Sequence, residues 1–175
     1  EQSRDIPVAM YFSTESNNKA VAGVSKQPVV IISHGYGIKN TGYTFIANAL
    51  AAQGYYVLSV QQDLDTDLDL PRSGNLYQKR MPFWERGVKN LKFVISTLRR
   101  TNSELDMDNV ILIGHSNGGD ISMMFSDQYP KQVKKVISLD SLRYSFPRNV
   151  NILSLRANDT VADRGVLAND TAKII

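Results

Sequence analysis

The stretch at residues 110–120, VILIGHSNGGD, decides the fold of this chain. Its first part, VILIG, is apolar and rich in β-branched side chains, which predicts a buried strand. Residues 118–129 are followed by Pro130 and predict a short helix. The stretch therefore predicts a strand that turns sharply into a helix.

The turn contains Gly114-His115-Ser116-Asn117-Gly118, a G-x-S-x-G sequence in the strand-to-helix context that this motif requires. Glycines at both ends remove Cβ atoms that would clash in a sharp turn, and the serine hydroxyl projects above the sheet. The N-terminus of the helix favours negative charge that develops on a reacting group. The pattern predicts a nucleophilic serine. The alternative is a glycine-rich helix start in which Ser116 is only an N-cap.

Apolar runs that predict strands alternate with segments of helical periodicity along the chain. Strands are predicted at 6–12, 29–33, 55–60, 110–114, 133–139 and 152–155, and helices at 41–53, 82–100 and 118–129. Pro82 suits the first turn of its helix. The order predicts one α/β domain over residues 1–175, with a mostly parallel sheet and helices on both faces.

A second glycine-bearing turn, His34-Gly35-Tyr36-Gly37, follows the predicted strand VVIIS. A loop of this kind can bring a backbone N–H close to the substrate of the serine, and its glycines permit that approach. The alternative is an ordinary turn after a buried strand.

With HGYG, GHSNGG and this strand order, nearly the whole chain resembles the α/β-hydrolase superfamily. The segments IPVAMYF, SLDSLRYSFPR and LRANDTVADRGVL resemble a bacterial subgroup of it. The resemblance implies that the backbone N–H groups of Tyr36 and Asn117 hold the oxyanion. It also implies the chain order serine, then acid, then histidine.

The resemblance places the acid after the predicted strand ILSLRA, where Asp159 is favoured. Asp163 is the main alternative, and Asp140, after the preceding strand, is a third. Each can instead be a loop carboxylate that caps a turn. No histidine follows them, because His34 and His115 both precede Asp159. Residues 171–175 resemble the start of a final strand, so the sequence is expected to be incomplete at its C-terminus and to lack the catalytic histidine.

Composition excludes several classes of protein. The 175 residues carry a formal net charge of +3 with scattered basic residues, which does not predict a nucleic-acid surface. No apolar run is long enough to span a bilayer, and the absence of cysteine excludes a disulfide or a cysteine nucleophile. Neither a metal nor an organic cofactor is implied. Localisation stays undetermined, with export slightly favoured, and the oligomeric state is unknown.

Three further features carry weaker expectations. The acidic run DLDTDLD at 63–69 lacks the glycine and glutamate of an EF-hand and is expected to be an exposed loop bordering the site. Tyr43, Phe45 and Trp84 are expected in the core, with an acyl pocket as the alternative. The short segment 140–151 leaves no room for a lid, which predicts an open site.

The resulting prediction is a serine hydrolase that cleaves a small-molecule carboxylic ester through an acyl-enzyme at Ser116. Two alternatives stay open. The same machinery can cleave an amide or peptide, or the chain can be a non-catalytic binding protein that kept the fold and lost the base.

Overall fold

The computed structural model describes residues 3–166, in which one six-stranded sheet forms the centre. The strands are β1 (Val8–Tyr11), β2 (Gln27–Ser33), β3 (Tyr56–Val60), β4 (Leu105–His115), β5 (Val133–Leu139) and β6 (Asn151–Leu155). They lie in the order β1-β3-β2-β4-β5-β6. Only β1 is antiparallel to its neighbour, and the other four pairings are parallel. The predicted mostly parallel sheet is confirmed.

Helices cover both faces of this sheet, as predicted. They are α1 (Thr14–Val21), α2 (Thr44–Ala52), α3 (Leu76–Thr101) and α4 (Asn117–Gln128). Alternate side chains of β2 point to opposite faces. Val29 and Ile31 belong to the core under α3 and α4, whereas Val30 and Ile32 belong to the core under α2. A continuous apolar run thus forms a strand that is buried on both sides.

The start of α3 differs from the prediction. The helix begins at Leu76, because the Asn75 side chain accepts a hydrogen bond from the Gln78 N–H and caps it. Pro82 therefore lies inside the helix and not in its first turn. Its ring nitrogen has no hydrogen to donate to the carbonyl one turn back, and the apolar face after it holds the helix together.

Strand β4 is longer than predicted, and helix α1 was not predicted. Strand β4 begins at Leu105, where Leu105 and Met107 are buried between exposed or half-buried polar neighbours. Helix α1 is short and mostly polar, so it has little amphipathic signal in the sequence. The connection at 140–150 contains no helix, in agreement with the short segment expected there. The strand predicted at 171–175 lies outside the described residues.

The register places three connections at the same level of the sheet. His115 on β4 pairs with Leu139 on β5, which in turn pairs with Leu155 on β6. The chain therefore leaves these three parallel strands side by side, at their carboxyl ends. Ligands bind at this edge in open α/β sheets.

Candidate active site

Ser116 stands at the junction of β4 and α4 in a strained backbone conformation. Its φ is +49° and its ψ −118°, a region that residues other than glycine rarely adopt. The strain is held by hydrogen bonds at both ends: the Ser116 N–H donates to Leu139 O at 2.9 Å, and the Ser116 carbonyl accepts from the Gly119 N–H at 2.9 Å. The residue as a whole is half-buried.

The glycines of this turn are required by close backbone packing. A Cβ on Gly114 would overlap the carbonyl oxygen of Gly118. A Cβ on Gly118 would overlap the carbonyl oxygens of Ser33 and His34, at the end of β2. The predicted sharp turn is thus present, and the second contact also presses it against the loop that follows β2.

The loop after β2 forms a tight turn beside Ser116. The Ile38 N–H donates to Gly35 O at 3.1 Å, and Gly37 at the third position has a φ of +76°, which is the type II pattern. Gly35 lies so close to the strand-to-helix turn that a Cβ on it would be 2.6 Å from His115 Nδ1. The turn after β2 therefore lies against the strand-to-helix turn that carries Ser116.

His34 is fully buried and has a structural role in the described residues. Its Nε2 accepts the Gln62 N–H at 2.8 Å, so the ring proton is on Nδ1, which donates to Gly35 O at 2.8 Å. Burial lowers the pKa of His34 and favours the neutral ring. His115 also has a partner, because its Nδ1 lies 2.6 Å from the Tyr43 hydroxyl oxygen.

The three candidate acids differ in what their carboxylates contact. Asp140, with a φ of +56°, accepts from the Thr160 hydroxyl at 2.7 and 2.9 Å. Asp163 pairs with Arg143 at 2.7 Å. Asp159 is exposed, and its side chain makes no hydrogen bond or ion pair with any other part of residues 3–166.

The acidic loop at 63–69 is not simply a solvated segment. Asp67 pairs with Arg4 at 2.5 Å and with Arg86 at 3.2 Å, and Asp63 lies 3.7 Å from Arg86. Burial alone would raise the pKa of Asp67, but hydrogen bonds from Arg4 and the Leu64 N–H, together with the charges of Arg86 and Arg4, lower it. The expectation of an exposed loop is therefore wrong for these two carboxylates, although Leu68 is 81% exposed.

This loop borders the turn after β2, as expected. The Tyr36 hydroxyl donates to Asp69 Oδ1 at 2.8 Å, and a cavity of about 350 Å³ lies between the turn and the loop. Within the described part of the chain, no cluster of three or more acidic or histidine side chains is arranged to hold a metal ion. Nor do residues 3–166 contain a helix that is both long and apolar enough to cross a bilayer.

Two anchors of the turn were not predicted. The Trp84 Nε1–H donates to Asn117 Oδ1 at 2.9 Å, in a fully buried contact between α3 and α4. Asp120, in the first turn of α4, accepts the backbone N–H groups of Arg143 and Tyr144 at 3.0 and 2.9 Å. The sequence contained a signal for Asp120, which is a carboxylate directly after a glycine pair at a helix start. It contained no signal for its partners Arg143 and Tyr144, because they lie in an irregular loop.

Two of the three aromatic residues expected in the core lie there. Trp84 is fully buried and Tyr43 is 9% exposed, so both are core residues, whereas Phe45 is 71% exposed and belongs to neither core nor pocket.

The sheet order and the strained serine turn between β4 and α4 define an α/β-hydrolase fold. The chain belongs to the family described as serine aminopeptidase, S33, whose model matches residues 25–142. That match covers more than half of the chain and includes both glycine-bearing turns, β2 to β5 and the helices between them.

Solved structures with this fold include two esterases. A ferulic acid esterase from Streptomyces cinnamoneus is 24% identical, with a TM-score of 0.59 over 75% of this chain and 42% of that one. An esterase from a marine microorganism is 21% identical, with a TM-score of 0.53 over 78% and 41%. An epoxide hydrolase from Vigna radiata is 19% identical, with the same TM-score over 78% and 37%.

Among curated proteins, uncharacterized proteins of Mycobacterium bovis and Mycobacterium tuberculosis are 24% identical over 136 residues. The matched region is 77% of this chain and 36% of each relative, so the chain spans little more than a third of their length.

Proposed function

We propose that this protein is a serine hydrolase that cleaves a carboxylic ester of a small molecule through an acyl-enzyme. One observation carries the proposal. Ser116 sits in a strained conformation above the carboxyl end of the sheet, at the N-terminus of α4 and against the glycine turn after β2. A strained non-glycine residue at such a junction marks a functional site, because packing has to maintain it.

The proposed reaction has two stages. Ser116 Oγ bonds to the ester carbonyl carbon and gives its proton to a base, and the alcohol then leaves with a proton from that base. Water hydrolyses the acyl-enzyme by the same route. The backbone N–H groups of Tyr36 and Asn117 hold the oxyanion formed at each stage. One such donor is worth about 3–4 kcal/mol in enzymes where it has been removed.

The proposed base is neither of the two histidines in this sequence. His34 is committed to Gln62 and Gly35, and His115 to Tyr43. Asp159 is the proposed acid, which orients the base and stabilises its protonated form. Its exposed carboxylate is available for such a partner, whereas Asp163 and Asp140 already hold Arg143 and Thr160.

The acid assignment has its own test. We expect Asp159→Asn to lower kcat by about 10⁴-fold, as loss of the orienting acid does in serine proteases. Asp163→Asn is the matched control and is expected to keep most of the activity. The reverse order of effects would transfer the role to Asp163.

A fluorophosphonate probe tests the nucleophile directly, because it phosphonylates activated serines and needs no knowledge of the substrate. We expect stoichiometric labelling that peptide mapping places on Ser116 and that disappears in Ser116→Ala. Ser96→Ala changes an exposed serine on α3 and is expected to label like the wild type. A protein that stays unlabelled although the proposed base is present would refute the proposal and favour a non-catalytic binding protein.

Amide or peptide hydrolysis is the second candidate function. The description of the family as serine aminopeptidase favours it, and the same serine and N–H donors serve both reactions. Parallel assays on ester and anilide substrates with the same acyl group separate the two. A higher kcat/KM for the anilide would make the protein an amidase or peptidase.

A further inference from the structure

The Tyr43 hydroxyl joins the two turns that meet at the candidate site. Its oxygen lies 2.6 Å from His115 Nδ1, and it accepts the backbone N–H of Gly35 at 3.4 Å. His115 directly precedes Ser116, and Gly35 directly precedes Tyr36. One phenol thus contacts the neighbour of the proposed nucleophile and the neighbour of a proposed oxyanion donor, which lie 80 residues apart in the chain.

The ring of Tyr43 is fixed. It is 9% exposed and belongs to the core under α2, together with Val30, Ile32 and Ala47. It also packs against the His115 ring, with 5.8 Å between the centroids. A side chain held on this many sides places its hydroxyl at one point.

The two turns pack closely against each other at Gly35 and His115. Gly35 lies against His115 so closely that a Cβ would overlap the imidazole. On the far side of the turn, the His34 Nδ1–H donates to the Gly35 carbonyl. Gly35 is therefore held on both sides, its carbonyl oxygen by His34 and its N–H by Tyr43. Burial raises the pKa of the Tyr43 phenol, so the hydroxyl keeps its proton.

We infer that Tyr43 is a positioning residue that holds the Tyr36 N–H at the distance from Ser116 that the oxyanion requires. The inference rests on the proposed function, because it assigns Tyr43 a task in that reaction. In this role Tyr43 does not act on the reacting atoms itself. It acts through Gly35 and His115, and oxyanion donors work only when their geometry is set before the reaction.

Tyr43→Phe removes the hydroxyl and keeps the ring. We expect kcat for an ester to fall about 10- to 100-fold with KM changed less than threefold, since a small displacement of a donor costs about this much. The rate of fluorophosphonate labelling should fall by a similar factor. Tyr56→Phe is the matched control. Tyr56 is 7% exposed, and within residues 3–166 its hydroxyl hydrogen-bonds only to Met10 Sδ, at 3.4 Å, so that variant should react like the wild type.

A cycle with His115→Ala tests whether Tyr43 acts through His115. If it does, the double variant should lose about as much activity as the more damaged single variant and not the product of both losses. Multiplicative losses would show that the two side chains act independently, and would overturn the inference that Tyr43 acts through His115.

Hydrogen exchange provides a measurement that does not depend on turnover. We expect the Gly35 amide to exchange at least tenfold faster in Tyr43→Phe and to be unchanged in Tyr56→Phe. Unchanged exchange together with wild-type kcat would overturn the inference while leaving the proposed function intact. A wild-type protein that neither reacts with the probe nor turns over ester or anilide would overturn both, because no reaction would remain for Tyr43 to support.

Discussion

Asp120 is a buried carboxylate four residues after Ser116, and it makes the stability of this protein depend on pH. It is 1% exposed, and burial raises its pKa from 3.8 to about 6. The N–H groups of Tyr144 and Arg143, and the charges of Arg143 and Arg80, oppose that rise without cancelling it. Folding therefore favours the protonated form of Asp120.

The size of the effect follows from the shift. A rise of about two pKa units corresponds to about 3 kcal/mol. Between pH 4 and 6 the folded protein binds a proton at Asp120 that the unfolded chain has released. The free energy of unfolding therefore contains a contribution that is fully present below pH 4 and is lost as the pH rises through 6.

Asp120→Asn isolates this contribution. The amide oxygen can still accept the N–H groups of Arg143 and Tyr144, but the side chain does not titrate. We expect the difference in free energy of unfolding between Asp120→Asn and the wild type to move by about 3 kcal/mol in favour of the variant from pH 4 to pH 7. Urea unfolding at half-unit intervals of pH measures it, and other titrating groups cancel in the difference.

Asp65→Asn, which removes an exposed carboxylate from the loop at 63–69, is the control and should keep the wild-type fall in stability between pH 4 and 6. A constant difference between Asp120→Asn and the wild type over this range would refute the argument. It would mean that the carboxylate stays ionised in the folded state, with the two N–H donors and the arginines outweighing burial.

Two substitutions test the packing around Ser116. Gly118→Ala should lower the free energy of unfolding by about 3 kcal/mol, because its Cβ would overlap backbone oxygens that cannot move aside. Gly87→Ala, whose Cβ would first meet atoms of the Ile121 side chain and not backbone oxygens, should cost less in the same urea titration, and equal losses would contradict the packing argument. Trp84→Phe should cost about 1–3 kcal/mol beyond the loss of ring area, because Asn117 Oδ1 is left buried without a donor. A variant as stable as the wild type would show that this hydrogen bond contributes nothing.

The sequence by itself determined the class of fold and the place of the candidate site. Runs such as VVIIS and VILIG are apolar on both faces, so only a central strand of a layered α/β sheet buries them. The G-x-S-x-G spacing determined the turn, because only glycine fits where Gly114 and Gly118 meet backbone atoms. These are local properties that the order of residues alone expresses.

Boundaries were less predictable, because competing local signals overlap. Pro82 suggested a helix start, but the Asn75 cap, seven residues upstream, starts α3 earlier, and Pro82 lies inside the helix. Apolar and polar residues alternate in LDMDN at 105–109, where β4 begins. This alternation is too short to distinguish a strand from a loop by sequence alone.

Only the tertiary structure decided which polar groups meet. Arg4 neutralises Asp67 across 63 residues, and the Tyr43 hydroxyl reaches His115 across 72. Such pairs depend on the crossing of strands and on loop paths, and a single sequence carries no periodic signal for them. The sequence thus determined which serine stands at the strand-to-helix turn. The tertiary structure decided what holds it there, because long-range packing sets the distances between side chains.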